Sequence, residues 1–369
     1  MRLAMTGGRP DRTPLMCQLS CGHIYKHAGI PPEDFWFTSQ GMAEGYMRMA
    51  ERYRFDGILL NVLGHNPKVR AQIESVEKID QGHIITWKYG ARTFCPPDDD
   101  PRPMDSAGFP AIIHREIADV DIESIQVPES LEDLPPYALD IIDYVIERKG
   151  DTMSIHGEIG TVFERFLLCM GSFVDGLMAI ADDPDKCLEI MSKMNREVIA
   201  YSIAQCARGV DAFKLSSPLA GAGFISREMY RKFVLPFERE LIDAIHSNFG
   251  TPCYIHTCGS IGDRLDLMLE TGADGLECLD PPPLGSVDLA QAVKEIGDRV
   301  FIKGNLDSVN ELMGHTPETV KEIARKRIEI GKHAKGFILS SACSVAPPVP
   351  PENIDALYDV VIESSGICA

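Results

Sequence analysis

Short, apolar, β-rich runs alternate with long helical patterns along almost the whole chain of 369 residues. Eight such runs are found: Thr13–Gln18, Gly57–Val62, Met153–His156, Asp211–Ser216, Pro252–His256, Ala273–Leu279, Val300–Lys303 and Gly336–Ser340. Several are continuously apolar, as is typical of parallel strands covered on both faces. Eight strands that alternate with helices predict an α/β protein with a (β/α)8 TIM barrel, and an open doubly wound sheet is the alternative.

The segments between these runs carry helix signals. Gly41–Arg54 places Met42, Tyr46, Met49 and Tyr53 on one face. Two further segments, Asp185–Arg208 and Ser226–Asn248, are long and amphipathic. Ser260–Asp263 has the spacing of a capping box, and Thr316-Pro317 puts a cap before a proline at the first helical position. We therefore expect one helix to begin at Ser260 and another at Thr316.

One segment, from about residue 71 to 133, breaks the alternation. It contains hairpin material near Trp87 and Tyr89, then an acidic, proline-rich loop, CPPDDDPRP. We predict an insertion after the second strand, folded over one end of the barrel, within a single domain that covers residues 1–369. A disordered linker between two domains is the alternative, although Trp87, Tyr89 and Phe94 argue against complete disorder.

The charge balance excludes several classes of partner. The chain has 36 basic and 55 acidic residues, so its formal net charge is −19. Nucleic-acid binding needs a clustered basic surface, and an anionic membrane surface is disfavoured for the same reason.

No run approaches the roughly 18 apolar residues needed to span a bilayer. Pro10 precedes any apolar segment of signal-peptide length, so we expect a cytoplasmic protein.

The strongest local chemical signal is the H-x-C pair His256 and Cys258 at the end of the fifth run. Side chains two positions apart on an extended segment point the same way, and an imidazole with a thiolate suits zinc. The pair alone is a weak signal, because a buried cysteine beside a hydrogen-bonded histidine is more common. The eleven cysteines of the chain otherwise indicate buried thiols or metal ligands and not a disulfide scaffold.

Cys343 strengthens the zinc interpretation because it directly follows the eighth run. The barrel would bring His256, Cys258 and Cys343 to the same C-terminal rim, where barrel enzymes carry out their chemistry. Three nitrogen or sulfur ligands with one open position are typical of a catalytic zinc site. Glu277 is the candidate fourth ligand, or else a carboxylate that contacts a ligand or the substrate. Its neighbour Cys278 is expected to face the opposite way.

Other polar side chains follow predicted strands and would face the same rim. We predict Glu158 and Asn305 as catalytic residues and His156 as a cofactor-binding residue, and structural hydrogen bonds are the alternative. Cys17 and His23 belong to a C-x3-C-x-H motif at the end of the first run. We predict that they line the cofactor pocket, with a second metal site as the alternative.

The chain resembles the uroporphyrinogen decarboxylase-like superfamily, and within it the zinc-dependent, corrinoid-linked methyltransferases of the methylcobalamin:coenzyme M methyltransferase type. The resemblance covers nearly the whole chain, and the motifs that carry it are Arg9–Pro14, His256–Gly259, Gly304–Asp307, Gly336–Cys343 and Pro350–Ile354. In the methyltransferase branch the H-x-C pair and the late cysteine bind zinc, which implies this role for His256, Cys258 and Cys343. The decarboxylases hold substrate carboxylates with an arginine-rich segment, and the corresponding stretch Cys17–Tyr25 contains no arginine.

The resemblance implies a zinc-dependent transfer of a methyl group between the cobalt of a corrinoid (cobalamin) protein and a small molecule. That molecule would be a thiol acceptor, or a methyl donor such as an aryl methyl ether, and the sequence leaves the direction open. No cobalamin-binding domain is evident in the chain, so we expect the corrinoid on a partner protein. A homodimer is consistent with the family. A uroporphyrinogen decarboxylase and a non-catalytic corrinoid- or metal-binding protein remain as alternatives.

Overall fold

A curled parallel sheet forms the centre of the protein. The computed structural model describes residues 1–104, 115–128 and 130–365. Within them, seven parallel strands follow one another in space as they do in the chain: β1 (Gly57–Leu60), β6 (Ser154–Gly160), β7 (Ala212–Ser216), β8 (Cys253–Thr257), β9 (Gly275–Cys278), β10 (Phe301–Leu306) and β11 (Gly336–Ser341). Most of their residues are buried, as expected for strands with helices outside and side chains inside.

The first predicted run closes the barrel between β11 and β1. Leu15 forms an isolated parallel bridge with Leu339, whose N–H donates to the carbonyl of Pro14 at 2.9 Å. On the other side, the N–H of Asp56 donates to the carbonyl of Leu15, also at 2.9 Å. The segment therefore takes the eighth position by isolated bridges and not as a continuous strand, and the predicted barrel class is confirmed.

Helices cover the outside of the barrel. They are α1 (Arg2–Met5), α2 (Cys21–Ala28), α3 (Pro32–Phe35), α4 (Ser39–Arg52), α5 (Asp140–Lys149), α6 (Val162–Cys169), α7 (Phe173–Asp182), α8 (Pro184–Ala207), α9 (Arg227–Phe233), α10 (Leu235–Phe249), α11 (Leu265–Glu270), α12 (Leu289–Ile296), α13 (Pro317–Gly331) and α14 (Pro351–Ser365). The predicted start at Thr316 is confirmed, with Pro317 in the first turn. Across the described ranges, every helix is too short or too polar to cross a membrane.

Two helix predictions are wrong. The long helix expected over Ser226–Asn248 is split at Val234 into α9 and α10, because Pro236 lacks the N–H that would continue the helix. The helix expected at Ser260 begins instead at Leu265. The carbonyl of Ser260 accepts a hydrogen bond from the N–H of Ala222 at 2.7 Å, so this segment is held as a loop by its neighbour.

The predicted insertion begins with an antiparallel sheet. Its strands are β2 (Ile73–Ile79), β3 (Gly82–Trp87), β4 (Arg92–Cys95) and β5 (Arg102–Pro103). The hairpin expected near Trp87 is therefore present as β2 and β3. Trp87 is buried and packs edge-to-face on Phe37, with ring centroids 5.1 Å apart. Short 3-10 turns follow between residues 117 and 133, and positions 105–114 and 129 of the predicted insertion lie outside the described residues.

The barrel interior changes from apolar to polar along its axis. At the end closed by α1, a buried apolar cluster includes Met16, Leu59, Tyr254, Phe301 and Ile338. Toward the carboxyl ends of the strands, the buried side chains include Lys214, His256, Glu277, Lys303 and Asn305. Burial of so many ionisable groups is costly unless they are paired, so this polar layer indicates where the chemistry of the protein lies.

Candidate metal centre

His256 and Cys258 stand at the carboxyl end of β8. Nε2 of His256 lies 3.2 Å from Sγ of Cys258, as the spacing of the H-x-C pair predicts. Gly259 follows with φ of +74°, a backbone conformation that glycine adopts at little cost. Its N–H donates to a carboxylate oxygen of Asp280 at 2.7 Å, and this contact fixes the turn that presents Cys258.

Cys343, just beyond β11, joins this pair. Its Sγ lies 3.5 Å from Sγ of Cys258 and 3.9 Å from Nε2 of His256. His256 is almost fully buried, whereas Cys258 and Cys343 are half-buried. The structure thus brings together the three residues predicted as metal ligands, and their thiols form its more accessible side.

Cys278 also belongs to the cluster, and the expectation that it faces the opposite way is wrong. The ligand atoms of His256, Cys258 and Cys278 all lie within 4.8 Å of one another. Regular alternation along β9 fails because Cys278 and Leu279 have φ values of +80° and +52°. This left-handed backbone turns the Cys278 thiol toward the other ligands, and no pattern in the sequence signals such a turn.

Glu277 lies behind His256 and not among the thiols. Its Oε2 is 2.9 Å from Nδ1 of His256, the ring nitrogen that faces away from Cys258. Lys214 lies 3.2 Å from the same oxygen, and Lys303 donates a hydrogen bond to Oε1. Both carboxylate oxygens are thus occupied, and these contacts favour the alternative role of Glu277 as a carboxylate that orients a ligand.

Two buried lysines complete the polar layer, and the sequence interpretation missed both. Lys214 and Lys303 are fully buried inside the barrel. Lys214 donates to Oε1 of Gln18 at 2.5 Å and lies 3.3 Å from a carboxylate oxygen of Glu158. The sequence does carry a signal for both, since each lysine lies within an otherwise apolar strand, DAFKLS or VFIK. An inward-facing lysine in such a strand needs a carboxylate partner.

The charges in the cluster shift its protonation equilibria. Burial and Lys214 disfavour the charged form of His256, but Cys258, Cys343 and Glu277 together hold its pKa well above the usual value. Hydrogen bonding to Cys258 and to its other neighbours lowers the pKa of Cys343. Burial raises the pKa of Glu277, but the stronger combined effect of Lys214 and Lys303 holds it well below the usual range. The cluster therefore favours a thiolate, which is the form that binds metals.

The donor set and its spacing fit zinc. With bonds of about 2.3 Å to sulfur and about 2.0 Å to nitrogen, neighbouring ligands of tetrahedral zinc lie about 3.5–3.8 Å apart. The distances among His256, Cys258 and Cys343 are 3.2, 3.5 and 3.9 Å, which straddle that range. A site made of imidazole and thiolates binds zinc in preference to hard cations such as magnesium. The described residues at this rim could therefore hold a zinc ion with small movements.

Two of the predicted cofactor contacts, His156 and His23, lie in buried, hydrogen-bonded surroundings. His156 is fully buried, with its ring nitrogens 3.0 Å from the hydroxyls of Ser154 and Tyr254. His23 lies in α2, where Nε2 is 2.7 Å from the hydroxyl of Tyr53. Burial lowers the pKa of His156 to about 3 and that of His23 to about 4, so both rings are neutral.

Cys17 is also buried, and its Sγ accepts a hydrogen bond from the N–H of Ser341 at 3.4 Å. Burial raises the pKa of its thiol to about 11, so it is a protonated thiol at the seam of the barrel. It lines a small cavity there together with Leu19 and Tyr46. The second half of the motif folds as α2, which begins at Cys21.

The two predicted catalytic residues have different environments. Glu158 is part of the polar layer, since Lys214 bridges it to Glu277. Asn305 is fully buried, and its side-chain N–H donates to the carbonyl of Leu279 at 2.8 Å. Asn305 therefore supports the turn that presents Cys278. Glu158 remains a candidate for contact with substrate.

The fold and the site define a (β/α)8-barrel protein with a nitrogen- and sulfur-rich cluster at its C-terminal rim. The chain belongs to the uroporphyrinogen decarboxylase (URO-D) family, whose sequence profile matches residues 103–364. A uroporphyrinogen decarboxylase of Chloroherpeton thalassium is 27% identical over 256 residues, which cover 67% of this chain and 69% of that protein. A methylcobamide:CoM methyltransferase of Methanosarcina acetivorans is 30% identical over 165 residues, or 44% of each chain.

Among solved structures, a methyltransferase from Methanosarcina mazei has a TM-score of 0.74. It covers 98% of this chain and 97% of its own, at 19% sequence identity. This likeness establishes the shared fold over nearly the whole length. The relatives are enzymes of two kinds, decarboxylases and methyltransferases, so the chemistry of this chain must be argued from its own site.

Proposed function

We propose that this protein is a zinc-dependent methyltransferase that moves a methyl group between a corrinoid protein and a small molecule. The observation that carries the proposal is the convergence of His256, Cys258 and Cys343 at the rim of the barrel, with distances of 3.2 to 3.9 Å. A set of thiolates and imidazole has no evident use in a metal-free decarboxylation. It suits a metal that binds a sulfur or oxygen atom of the substrate.

The charges around the site also favour a methyl transfer over removal of carboxyl groups. A polycarboxylate substrate needs free cationic partners, and Cys17–Tyr25 has no arginine. Lys214 and Lys303 are fully buried and already paired with Glu158 and Glu277. Neither lysine is available to a substrate carboxylate without breaking a buried ion pair, which is costly.

In this proposal zinc would lower the pKa of an acceptor thiol, or polarise the heteroatom of a methyl donor. His256 would hold the metal through Nε2, because Nδ1 donates to Glu277 and fixes the orientation of the ring. Cys258 and Cys343 supply thiolates on the accessible side. Lys214 and Lys303 balance the charge of Glu277, which keeps that carboxylate ionised behind the ligand.

The test is metal analysis combined with two methyl-transfer assays. We expect about one zinc per chain. We also expect activity in one of the two assays: demethylation of methylcobalamin by a thiol from one panel, or methylation of Co(I) cobalamin by a methyl donor from a second panel. His256→Ala and Cys258→Ala should lose zinc and activity together. The matched control is Cys253→Ser, a buried cysteine in the same strand whose Sγ donates to the carbonyl of Thr251 at 3.5 Å.

Several outcomes would overturn the proposal. A full complement of tightly bound zinc in both variants would refute the ligand assignment. Release of carbon dioxide from uroporphyrinogen by the metal-free protein would instead support a decarboxylase, the activity for which the relative from C. thalassium is named. Binding of zinc or cobalamin without turnover across both panels would indicate a non-catalytic binding protein. If the turnover rate does not saturate as a corrinoid protein is added, the proposal that this protein is the partner is refuted.

A further inference from the structure

The accessible cluster has a fourth donor that the H-x-C pair and the late cysteine do not include. Sγ of Cys278 lies within 4.8 Å of the ligand atoms of both His256 and Cys258. We propose that Cys278 is a zinc ligand, so that the resting site holds the metal with one nitrogen and three sulfurs. This inference rests on the zinc site of the proposed function. It changes the coordination of that site, because four protein ligands would leave no open coordination position on the zinc before the substrate binds.

The backbone at Cys278 is the first argument for this role. As the last residue of β9, Cys278 would point away from His256 if the strand alternation continued, because its neighbour Glu277 points toward that ring. Its φ of +80° reverses this direction. A left-handed conformation is unfavourable for a residue with a side chain, and such departures occur where a side chain is needed at a particular place.

The surroundings of Cys278 hold this conformation in place. Asn305 donates to the carbonyl of Leu279 at 2.8 Å from the next strand, and Asp280 accepts from the N–H of Gly259 at 2.7 Å. The second contact ties the Cys278 turn to the turn that presents Cys258. One hydrogen bond thus links the two turns that carry the thiols, and the other anchors the Cys278 turn to β10; both involve fully or nearly buried side chains.

Glu277, the other candidate for the fourth position, is committed elsewhere. Its oxygens contact His256, Lys214 and Lys303, and moving it toward the thiols would leave two buried lysines with fewer counter-charges. Cys278 is fully buried. The hydrogen bonds of Lys214 and Lys303 within the described ranges go to residues other than Cys278. Its thiol can therefore bind a metal without disturbing the ion-pair network. With four protein ligands, an incoming substrate must displace one of them or raise the coordination number to five.

The experiment counts thiolates at the metal and does not depend on methyl transfer. The zinc-loaded wild-type protein is measured by X-ray absorption at the zinc edge, and we expect three sulfurs and one nitrogen in the first shell. Co(II) is then exchanged for zinc in the wild type, Cys278→Ser and Cys278→Ala. The sulfur-to-cobalt absorption should fall by about one third in both variants, because two thiolates remain of three. Cys253→Ser is the matched control and should leave this absorption unchanged.

The outcomes separate this inference from the proposed function. Two sulfurs in the wild-type first shell, or unchanged cobalt absorption in both folded variants, would overturn the role of Cys278 while leaving a zinc methyltransferase intact. Three sulfurs in a protein that transfers no methyl group would support Cys278 and refute the function. The wild-type spectrum decides the question even if neither variant folds.

Discussion

Oε2 of Glu277 lies 2.9 Å from Nδ1 of His256, while Nε2 of the same ring lies 3.2 Å from Sγ of Cys258. A carboxylate behind a histidine fixes the ring and raises the basicity of its other nitrogen. We therefore predict that Glu277→Gln lowers zinc affinity by about 10- to 100-fold, as is typical when such a partner is removed. Competition with a chromogenic chelator measures this change.

The control for that experiment is Glu238→Gln, which changes a buried glutamate bonded to Ser217 and Tyr230 and not to the cluster. Its zinc affinity should equal that of the wild type. Equal affinities in Glu277→Gln and the wild type would contradict an orienting role for Glu277.

Lys214 is predicted to be essential for stability, because it is the buried cation between two carboxylates. It lies 3.3 Å from Glu158 and 3.2 Å from Glu277. Lys214→Met keeps the volume but leaves these charges undercompensated, so we expect the free energy of unfolding to fall by about 3–5 kcal/mol. Urea denaturation measures it. Lys232→Met removes an exposed lysine 4.0 Å from Asp185 and should change stability by less than about 0.5 kcal/mol; equal effects of the two substitutions would refute the prediction.

The sequence predicted the elements whose signal is local and periodic. Continuous apolar runs identified the strands, and the spacing of His256 and Cys258 identified two members of the cluster. The position of Cys343 followed from the barrel, since parallel strands end at one rim. These successes share one cause, which is that side-chain direction along a regular strand depends only on the position in the sequence.

The failures occur where that regularity stops. Cys278 turns inward because its backbone is left-handed, and nothing in the sequence of β9 indicates this. Cys17 lies in an extended segment and His23 lies in α2, which begins between them at Cys21, so strand alternation does not predict the relative direction of their side chains. The pairing of Lys214 with Glu277 joins separate strands of the barrel through tertiary structure alone, so the sequence could suggest only that a buried lysine would need a partner.

Glu164 predicts a pH-dependent stability that is separate from the metal cluster. Burial raises the pKa of its carboxyl to about 7, against hydrogen bonds from Thr161 at 2.7 Å and the N–H of Leu219 at 3.2 Å. The folded state therefore binds this proton more tightly than the unfolded state. Its stabilising contribution is complete below the unfolded pKa near 4.5 and is lost as the pH rises through about 7.

We predict that the wild type loses about 3 kcal/mol of unfolding free energy from this group between pH 4.5 and pH 8. Glu164→Gln should lack this component, because a glutamine does not titrate, and its stability curve should be flatter by that amount. Urea denaturation of both proteins across this pH range measures the difference. Parallel curves would show that Glu164 does not titrate in the folded protein near neutral pH.

The closure of the barrel depends on Asp56, which joins the first segment of the chain to β1. Its carboxylate accepts hydrogen bonds from Arg12 at 2.8 and 2.5 Å and from the N–H of Leu15 at 2.8 Å. These contacts replace the continuous ladder that the Leu15 segment lacks. Asp56→Ala removes a two-point charged contact and leaves the N–H of Leu15 without this acceptor, so we expect a loss of about 2–4 kcal/mol in unfolding free energy.

Urea denaturation at neutral pH measures this loss. The matched control is Glu329→Ala, which removes one partner of an exposed ion pair between α13 and Lys332 just beyond its end and should cost less than about 0.5 kcal/mol. Hydrogen exchange provides the specific readout, because the N–H of Leu339, which donates to Pro14, should lose protection in Asp56→Ala and keep it in the control. Retention of full protection at Leu339 in Asp56→Ala would show that the barrel closes without this contact.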